Sequence, residues 1–315
     1  MTAAQQECIC RVEGLTKDYN GFRAVDRISF CVRRGEIFGF LGPNGAGKTT
    51  TIRMICGLTR ITRGRVIVDG HDISREPRTV KKLIGVVPDM SNLYSELSCW
   101  DNLIFCGEMY GVPRDERIRR AEELLEFFGL ARFKNKKFKT LSKGLKRRLT
   151  IAAALMHNPK ILFLDEPTLG LDVIGKRKIW HIIKELNRRG VTVFLTTHNI
   201  YEAFKLSHRI AIINHGKIIA IGTPNDLRQM VAAEEVIDVS FTPNMPSLED
   251  ILEIKGVVRA KIVDNMFRLI VNDVLEALDG LVEFARRRGL NISLLSLRGA
   301  DSEEVFLSLV GVRNA

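Results

Sequence analysis

Short apolar runs, each closed by a turn residue or a carboxylate, alternate along this chain with stretches in helical spacing. Cys8-Ile9-Cys10-Arg11-Val12 and Ile28-Ser29-Phe30-Cys31-Val32 read as antiparallel strands with a turn at Asn20-Gly21. Ile37-Phe38-Gly39-Phe40-Leu41 is apolar throughout, as a strand buried on both faces requires. Thr49 to Cys56 then carries helical spacing (Ile52, Met54, Ile55) until Gly57 stops it. Strands follow at Arg65–Val68, ended by Asp69-Gly70, and at Ile84–Val87, ended by Pro88. Residues 101–128 predict two helices broken at Gly111 and Pro113, with Leu103, Ile104, Ile118, Leu124, Leu125 and Phe128 turned to a core. Ser142 is placed to cap a helix running to about Met156. Ile161-Leu162-Phe163-Leu164 runs into Asp165-Glu166, a helix spans Ile174–Arg189, and Val191–Thr197 is a strand ended by His198. Arg209–Ile213 and Lys217–Ile221 form a hairpin about Asn214-His215-Gly216. This alternation predicts an α/β first domain over residues 1–230.

Residues 223–234 read as a connection. From Glu235 the order is strand (Val236–Phe241), helix (Ser247–Ile254), strand (Val257–Val263), strand (Phe267–Val271), helix (Val274–Arg288), strand (Asn291–Leu297) and helix (Ser302–Leu309). That order predicts a small α+β unit, a ferredoxin-like split βαβ with one extra helix. It holds no Gly-rich loop and no carboxylate–His constellation, so residues 235–315 read as an accessory, regulatory or dimer-supporting module.

Chemistry enters between the first buried strand and its helix. Gly42-Pro43-Asn44-Gly45-Ala46-Gly47-Lys48-Thr49 is a phosphate-binding loop. Glycines let the backbone wrap so that successive N–H groups point at phosphate oxygens, and the new helix adds its N-terminal dipole. Lys48 reaches the terminal phosphates, the Thr49 hydroxyl can ligate Mg²⁺, and Thr50 follows in the same turn. Asp165 and Glu166 stand at the carboxyl end of a buried strand, where ligands bind in parallel sheets. Asp165 is expected in the Mg²⁺ shell, and Glu166 is expected to orient or deprotonate a water. His198 ends the next core strand, within reach of the same phosphate. Tyr19, beside the Asn20-Gly21 turn, reads on its own as a half-buried turn tyrosine. Together these residues predict binding of a nucleoside triphosphate.

Composition narrows the setting. Hydrophobic content of 45% and charged content of 27% are those of an ordinary globular chain, and 315 residues suffice for two cores. No apolar run approaches the roughly 18–20 residues that span a bilayer. Met1 to Glu7 is polar, which predicts no export signal. The six cysteines are scattered and are expected to be free thiols in a reducing compartment. Net charge is +11, unevenly placed: residues 235–315 carry 9 basic and 13 acidic side chains, residues 1–234 carry 39 and 24. Between Glu126 and Asp165 no acidic residue occurs, while Arg132, Lys134, Lys136, Lys137, Lys139, Lys143, Lys146, Arg147 and Arg148 crowd together. Such a stretch suits nucleic acid, anionic headgroups or a polyphosphate, or equally a solvated face.

With these motifs in place, residues 8–230 resemble the ATP-binding subunit of ATP-binding cassette (ABC) transporters. Gly42–Thr49 matches the Walker A loop, Leu141–Gly144 the signature loop, and Ile161–Glu166 Walker B. Leu169-Gly170-Leu171-Asp172 matches the D-loop and His198 the switch histidine, all in the family's order. The resemblance implies a P-loop NTPase fold with an antiparallel β subdomain and a helical subdomain. It implies ATP and Mg²⁺ as cofactors, held between two cassettes that meet head to tail, with a separate transmembrane permease as partner. It makes Tyr19 the adenine-stacking residue, Glu166 the catalytic carboxylate with Lys48 and His198 beside it, and Ser142 and Gly144 contacts to the partner's γ-phosphate. The overall style resembles exporter-type cassettes, peripheral on the inner face of the cell membrane. Two positions depart from the pattern: Lys143 replaces the first glycine of Leu-Ser-Gly-Gly, and Asp89 replaces the glutamine after Pro88. Because Ser142 and Gly144 remain, activity is expected to survive; Asp89 can ligate Mg²⁺ but donates no hydrogen bond when ionised. The alternative is a soluble nucleic-acid- or ribosome-associated cassette ATPase, resting on the basic stretch alone. Nucleic acid is not the expected partner, because the paired cassettes or long insertion of such proteins are missing. A regulatory subunit that lost catalysis through Lys143 and Asp89 is a third reading.

Overall fold

The computed structural model describes residues 8–230, 235–298 and 302–311. Met1 to Glu7, on which the expectation of an unexported start rests, lie outside the described residues. Backbone contacts divide the chain into a unit ending at Pro224 and a second beginning at Asn225.

The first unit opens with β1 (Cys8–Tyr19) and β2 (Phe22–Arg33), joined by the Asn20-Gly21 turn, then β3 (Ile37–Leu41) and α1 (Lys48–Ile55). Next come β4 (Arg63–Val68), β5 (His71–Asp72), α2 (Pro77–Leu83) and β6 (Ile84–Val87). Three helices follow, α3 (Cys99–Met109), α4 (Arg114–Phe127) and α5 (Lys143–Ala154). The unit closes with β7 (Ile161–Asp165), α6 (Val173–Arg188), β8 (Thr192–Thr197), α7 (Ile200–Leu206), β9 (Arg209–Asn214) and β10 (Lys217–Gly222). One sheet has the order β2-β1-β4-β5 and a second the order β10-β9-β3-β8-β7-β6. In the second, β9, β3, β8, β7 and β6 run parallel and only β10 is antiparallel. That is the α/β core with an antiparallel β subdomain and a helical subdomain.

Alternation along the buried strands sorts their side chains between two cores. Phe38, Phe40, Phe163 and Phe194 face the first sheet and α1, meeting Ile9, Val12, Val25, Ile28 and Val66. Phe194 lies 5.4–6.0 Å, between ring centroids, from Phe30, Phe38, Phe40 and Phe163. Ile37, Leu162, Leu164, Val193 and Leu195 point the other way, toward the helices that bring Leu103, Leu125, Leu149 and Ile183. Each such side chain, fully buried, stabilises by about 1.5–3 kcal/mol. Strands that are apolar on every residue are what this two-sided burial needs.

Some local expectations are corrected. Helices α2 and α7, seven residues each, were not predicted; at that length periodicity carries no signal. What marks them is chemistry at their starts, Pro77 at the first position of α2 and the Asn199 side chain accepting from Glu202 N at α7. Ile118 sits on the stripe of buried Ala121 and Leu125 but one turn nearer the start of α4, and is 37% exposed. Cys8 and Cys31 are not free thiols: they are disulfide-bonded across the β1–β2 pair, Cα atoms 5.8 Å apart. The cross-strand register sets Cys8 opposite Arg33, two residues from Cys31, with an irregularity between Cys8 and Cys10, and no sequence spacing encodes it. Cys10, Cys56, Cys99 and Cys106 are free.

The second unit starts at Asn225, inside the expected connection. Pro224, the last residue of the first unit and with a ring suited to a first helical position, opens α8 (Pro224–Met230); residues 231–234 lie outside the described residues. Then come β11 (Glu235–Thr242), α9 (Leu248–Leu252), β12 (Val257–Val263), β13 (Met266–Val271), α10 (Val274–Arg288), β14 (Asn291–Arg298) and α11 (Ser302–Val310). The sheet order is β12-β13-β11-β14 with every neighbour antiparallel, the split βαβ arrangement. Ser247 and Asp250 form a capping box at α9, and Asp273 caps α10, which ends at left-handed Gly289. Ile237, Val239, Phe267, Leu269 and Leu281 fill its core.

Candidate active site

The phosphate loop links β3 to α1 and is held by the neighbouring strands. Gly42 N donates to Thr197 O at 3.3 Å, and Gly216 N donates to Ala46 O at 3.0 Å. A Cβ on Gly42 would stand 2.3 Å from Ile213 O, and one on Gly47 2.7 Å from Ala24 O. Gly47 moreover has φ +105°, a conformation that glycine alone adopts without strain. The loop's glycines therefore answer to packing as well as to a ligand. Lys48 is buried, its Nζ donating to Gly42 O at 2.8 Å and Pro43 O at 3.1 Å.

Two further strand ends converge here. Asp165 closes β7, Glu166 follows it, and His198 follows β8. Glu166 Oε1 lies 3.4 Å from Lys48 Nζ, and Glu166 Oε2 lies 2.9 Å from His198 Nδ1. Glu166 holds this bridge from a left-handed backbone, φ +46°, which costs a residue with a Cβ roughly 1–2 kcal/mol. Its N–H donates to Thr196 O and to Thr196 Oγ1, both at 3.2 Å. Asp165 is 4% exposed. Burial pushes its carboxyl above the usual carboxylate range; hydrogen bonds from Thr196 and Thr49 pull it back, while Asp89 and Glu166 repel its charge. A site that makes a carboxylate this costly to ionise favours a cation beside it.

A cavity of about 550 Å³ gathers Tyr19, Asn44, Gly45, Gly47, Lys48, Thr49, Thr50, Asp89, Glu166 and His198. Tyr19 is 42% exposed, with Lys17 Nζ 4.6 Å from its ring centroid. Ser142 and Gly144 do not join this cavity. They line another, of about 370 Å³, with Lys143, Gly170, Asp172 and Gly175. Ser142 caps α5 by accepting from Leu145 N, and Asp172 caps α6 by accepting from Gly175 N.

Sequence reading missed several participants. Phe22, across the turn from Tyr19 and 66% exposed, lines the first cavity beside it; its place after Asn20-Gly21 was the available signal. Thr196 serves Asp165 and Glu166 through one hydroxyl. Arg147 was counted with the basic stretch yet is 8% exposed. Its Nε donates to Pro167 O at 2.9 Å, Nη2 to Asp165 O at 2.6 Å, and Nη1 to Pro88 O and to Asp89 O. Burial brings its pKa down to about 10, with Asp165 and Asp89 opposing the fall, so it stays cationic at neutral pH. Others of the stretch are paired locally, Lys134 with Glu122, and Lys137 and Lys139 with Glu96.

Comparison with known proteins gives this geometry a family. Residues 25–169 match the ABC transporter family. The linearmycin resistance ATP-binding protein LnrL of Bacillus subtilis (strain 168) is 37% identical over 96% of this chain and 98% of its own. The chain belongs to the ABC transporter ATP-binding proteins. The daunorubicin/doxorubicin resistance ATP-binding protein DrrA of Streptomyces peucetius is 38% identical to the cassette over 95% of this chain and 91% of its own. The ATP-binding cassette MJ0796, solved as a dimer bound to ADP and Pi, matches at TM-score 0.63 and 30% identity, over 68% of this chain and 98% of that one. The cassette is thus a nucleotide-binding, ATP-hydrolysing transporter subunit, homologous to exporter-type drug-resistance ATPases, in a family whose cassettes dimerise and work with transmembrane components. Among the described residues no helix is long and apolar enough to cross a membrane. The nucleic-acid alternative is not favoured.

Proposed function

We propose that this subunit powers an exporter of drug-like or lipid-like molecules, closing as a homodimer around two ATP molecules at the inner face of the cell membrane. The bridge of Glu166 between Lys48 and His198 carries this reading. A γ-phosphate entering between Lys48 and His198 takes their hydrogen bonds, and the Glu166 carboxylate is left facing an attacking water. Glu166 orients that water and takes its proton; Lys48 and His198 stabilise the charge that develops on the phosphoryl oxygens. Tyr19 stacks on the adenine, and the loop from Gly42 to Gly47 offers its N–H groups to the phosphates.

The donor set fits Mg²⁺, a hard cation that takes oxygen ligands and shares them with substrate phosphates and waters. Thr49 Oγ1, Asp165 and Asp89 would hold it, where it neutralises phosphate charge. Lys143 lies beside Ser142 and Gly144 at the open start of α5, so its charge adds to the attraction for a partner-bound phosphate. Residues 235–315 support the dimer or regulate it; resistance functions in the names of LnrL and DrrA support the exporter assignment.

Dimer closure is tested at Gly144, where a Cβ meets no atom within 4 Å and an added carboxylate suits the first turn of a helix. In the slow-hydrolysis background Glu166→Gln, MgATP is expected to shift the protein to a dimer in sedimentation velocity. Adding Gly144→Asp sets a negative charge against the partner's γ-phosphate and should weaken ATP-driven dimerisation about tenfold or more while ATP binding persists. A Glu166→Gln protein that stays monomeric in saturating MgATP overturns the closure reading.

A further inference from the structure

We infer that Arg147 is a positioning residue for hydrolysis, its buried guanidinium holding the carbonyls on both sides of Glu166 so that this carboxylate stays aimed at Lys48 and His198. The inference rests on the proposed catalytic role of Glu166 and deepens it. The β6–β7 ladder ends at the Val87–Leu164 pair, and the carbonyls of the residues that follow lie beyond it. Arg147, reaching in from α5, supplies donors to four of them: Pro88, Asp89, Asp165 and Pro167. Two of these, Asp165 O and Pro167 O, bracket Glu166.

That bracket matters because of the backbone it encloses. A left-handed glutamate persists only where its surroundings over-determine it. Thr196 fixes the Glu166 N–H from the β8 side, and Arg147 fixes the flanking peptide oxygens from the α5 side. The same guanidinium also ties down the Asp89 peptide, so both strand-end carboxylates take their spacing from one side chain. A planar fork with five N–H donors can serve diverging carbonyls at once; an ammonium, a point charge on a flexible stem, cannot hold this geometry. Arg147 lies on the helix that Ser142 caps. A shift of that helix against a partner's nucleotide therefore reaches Glu166 through a single side chain.

The test compares Arg147→Lys and Arg147→Ala with wild type in the full-length subunit, measuring kcat, the ATP dissociation constant and the thermal midpoint. Arg147→Lys keeps the charge and is expected to lower kcat roughly tenfold, as loss of a group that orients a reacting ligand typically does, with ATP affinity within about twofold. Guanidinium ion at millimolar concentration should restore part of kcat to Arg147→Ala and do nothing for wild type. The double variant Glu166→Gln/Arg147→Lys should be no slower than Glu166→Gln alone, since Arg147 acts through Glu166. A folded Arg147→Lys protein with wild-type kcat overturns the inference, as do multiplicative losses in the double variant. If instead Glu166→Gln hydrolyses ATP at the wild-type rate, the catalytic reading itself fails, which separates the two outcomes.

Discussion

Replacing Glu166 by Gln is expected to slow steady-state phosphate release by roughly 10²-fold or more, the loss typical when one group serving only the transition state is removed. The substitution keeps the side chain's shape, so the bend at φ +46° and the contacts of its N–H to Thr196 remain. What disappears is the negative charge and a basic oxygen able to take a proton from water. Binding should not suffer: the carboxylate now holds Lys48 and His198, and a neutral amide leaves both side chains freer to turn to phosphate. Nucleotide titration and turnover measured on the same preparation give the split. Hydrolysis within a few-fold of wild type would remove Glu166 from its assigned role and pass the duty to another acceptor in the cavity.

Lys48→Ala is expected to weaken ATP binding by roughly 10²–10³-fold. Truncating one partner of a buried charge-assisted contact costs about 2–5 kcal/mol, and each 1.4 kcal/mol is about tenfold in affinity. The loop itself should survive, because its shape is fixed by Gly42 and Gly47 against Ile213 and Ala24 and by the backbone bond from Gly216. Circular dichroism establishes the fold, and calorimetric titration with ATP reads the loss. An unchanged dissociation constant would mean that the loop's N–H groups bind phosphate without the ammonium.

How much of this was legible in the sequence depends on how locally each feature is determined. The phosphate loop was, since close backbone approach and positive φ admit glycine and little else at Gly42 and Gly47. The strands β3 and β7 were, because burial on both faces demands an unbroken apolar run, and in β8 the run Val193-Phe194-Leu195 between threonines sufficed. Placing Asp165, Glu166 and His198 at strand ends was enough to bring them together, since parallel neighbours end on the same edge. The split βαβ order could be read from the strand and helix pattern between Glu235 and Leu309. Arg147 was hidden by its neighbours: one arginine among lysines gives no hint that it turns inward. The Cys8–Cys31 pairing and Phe22's place beside Tyr19 depend on register and on three-dimensional neighbours, about which spacing is silent. The helix α7 was lost for brevity alone.

The order of strands in the parallel sheet also governs when the site can exist. Strand β3 finds its partners in β8 and β9, and the Gly35–Thr192 hydrogen bond spans 157 residues of chain. At roughly 5–20 residues per second, synthesis needs on the order of 10–30 s to cover that interval. Until then a wholly apolar strand and an unsupported phosphate loop emerge together, with no Ile213 or Thr197 to close the loop. A nascent chain arrested before His208 should therefore bind no ATP and should expose β3 to chaperones. The last strands translated into the first unit give the first loop its ligand.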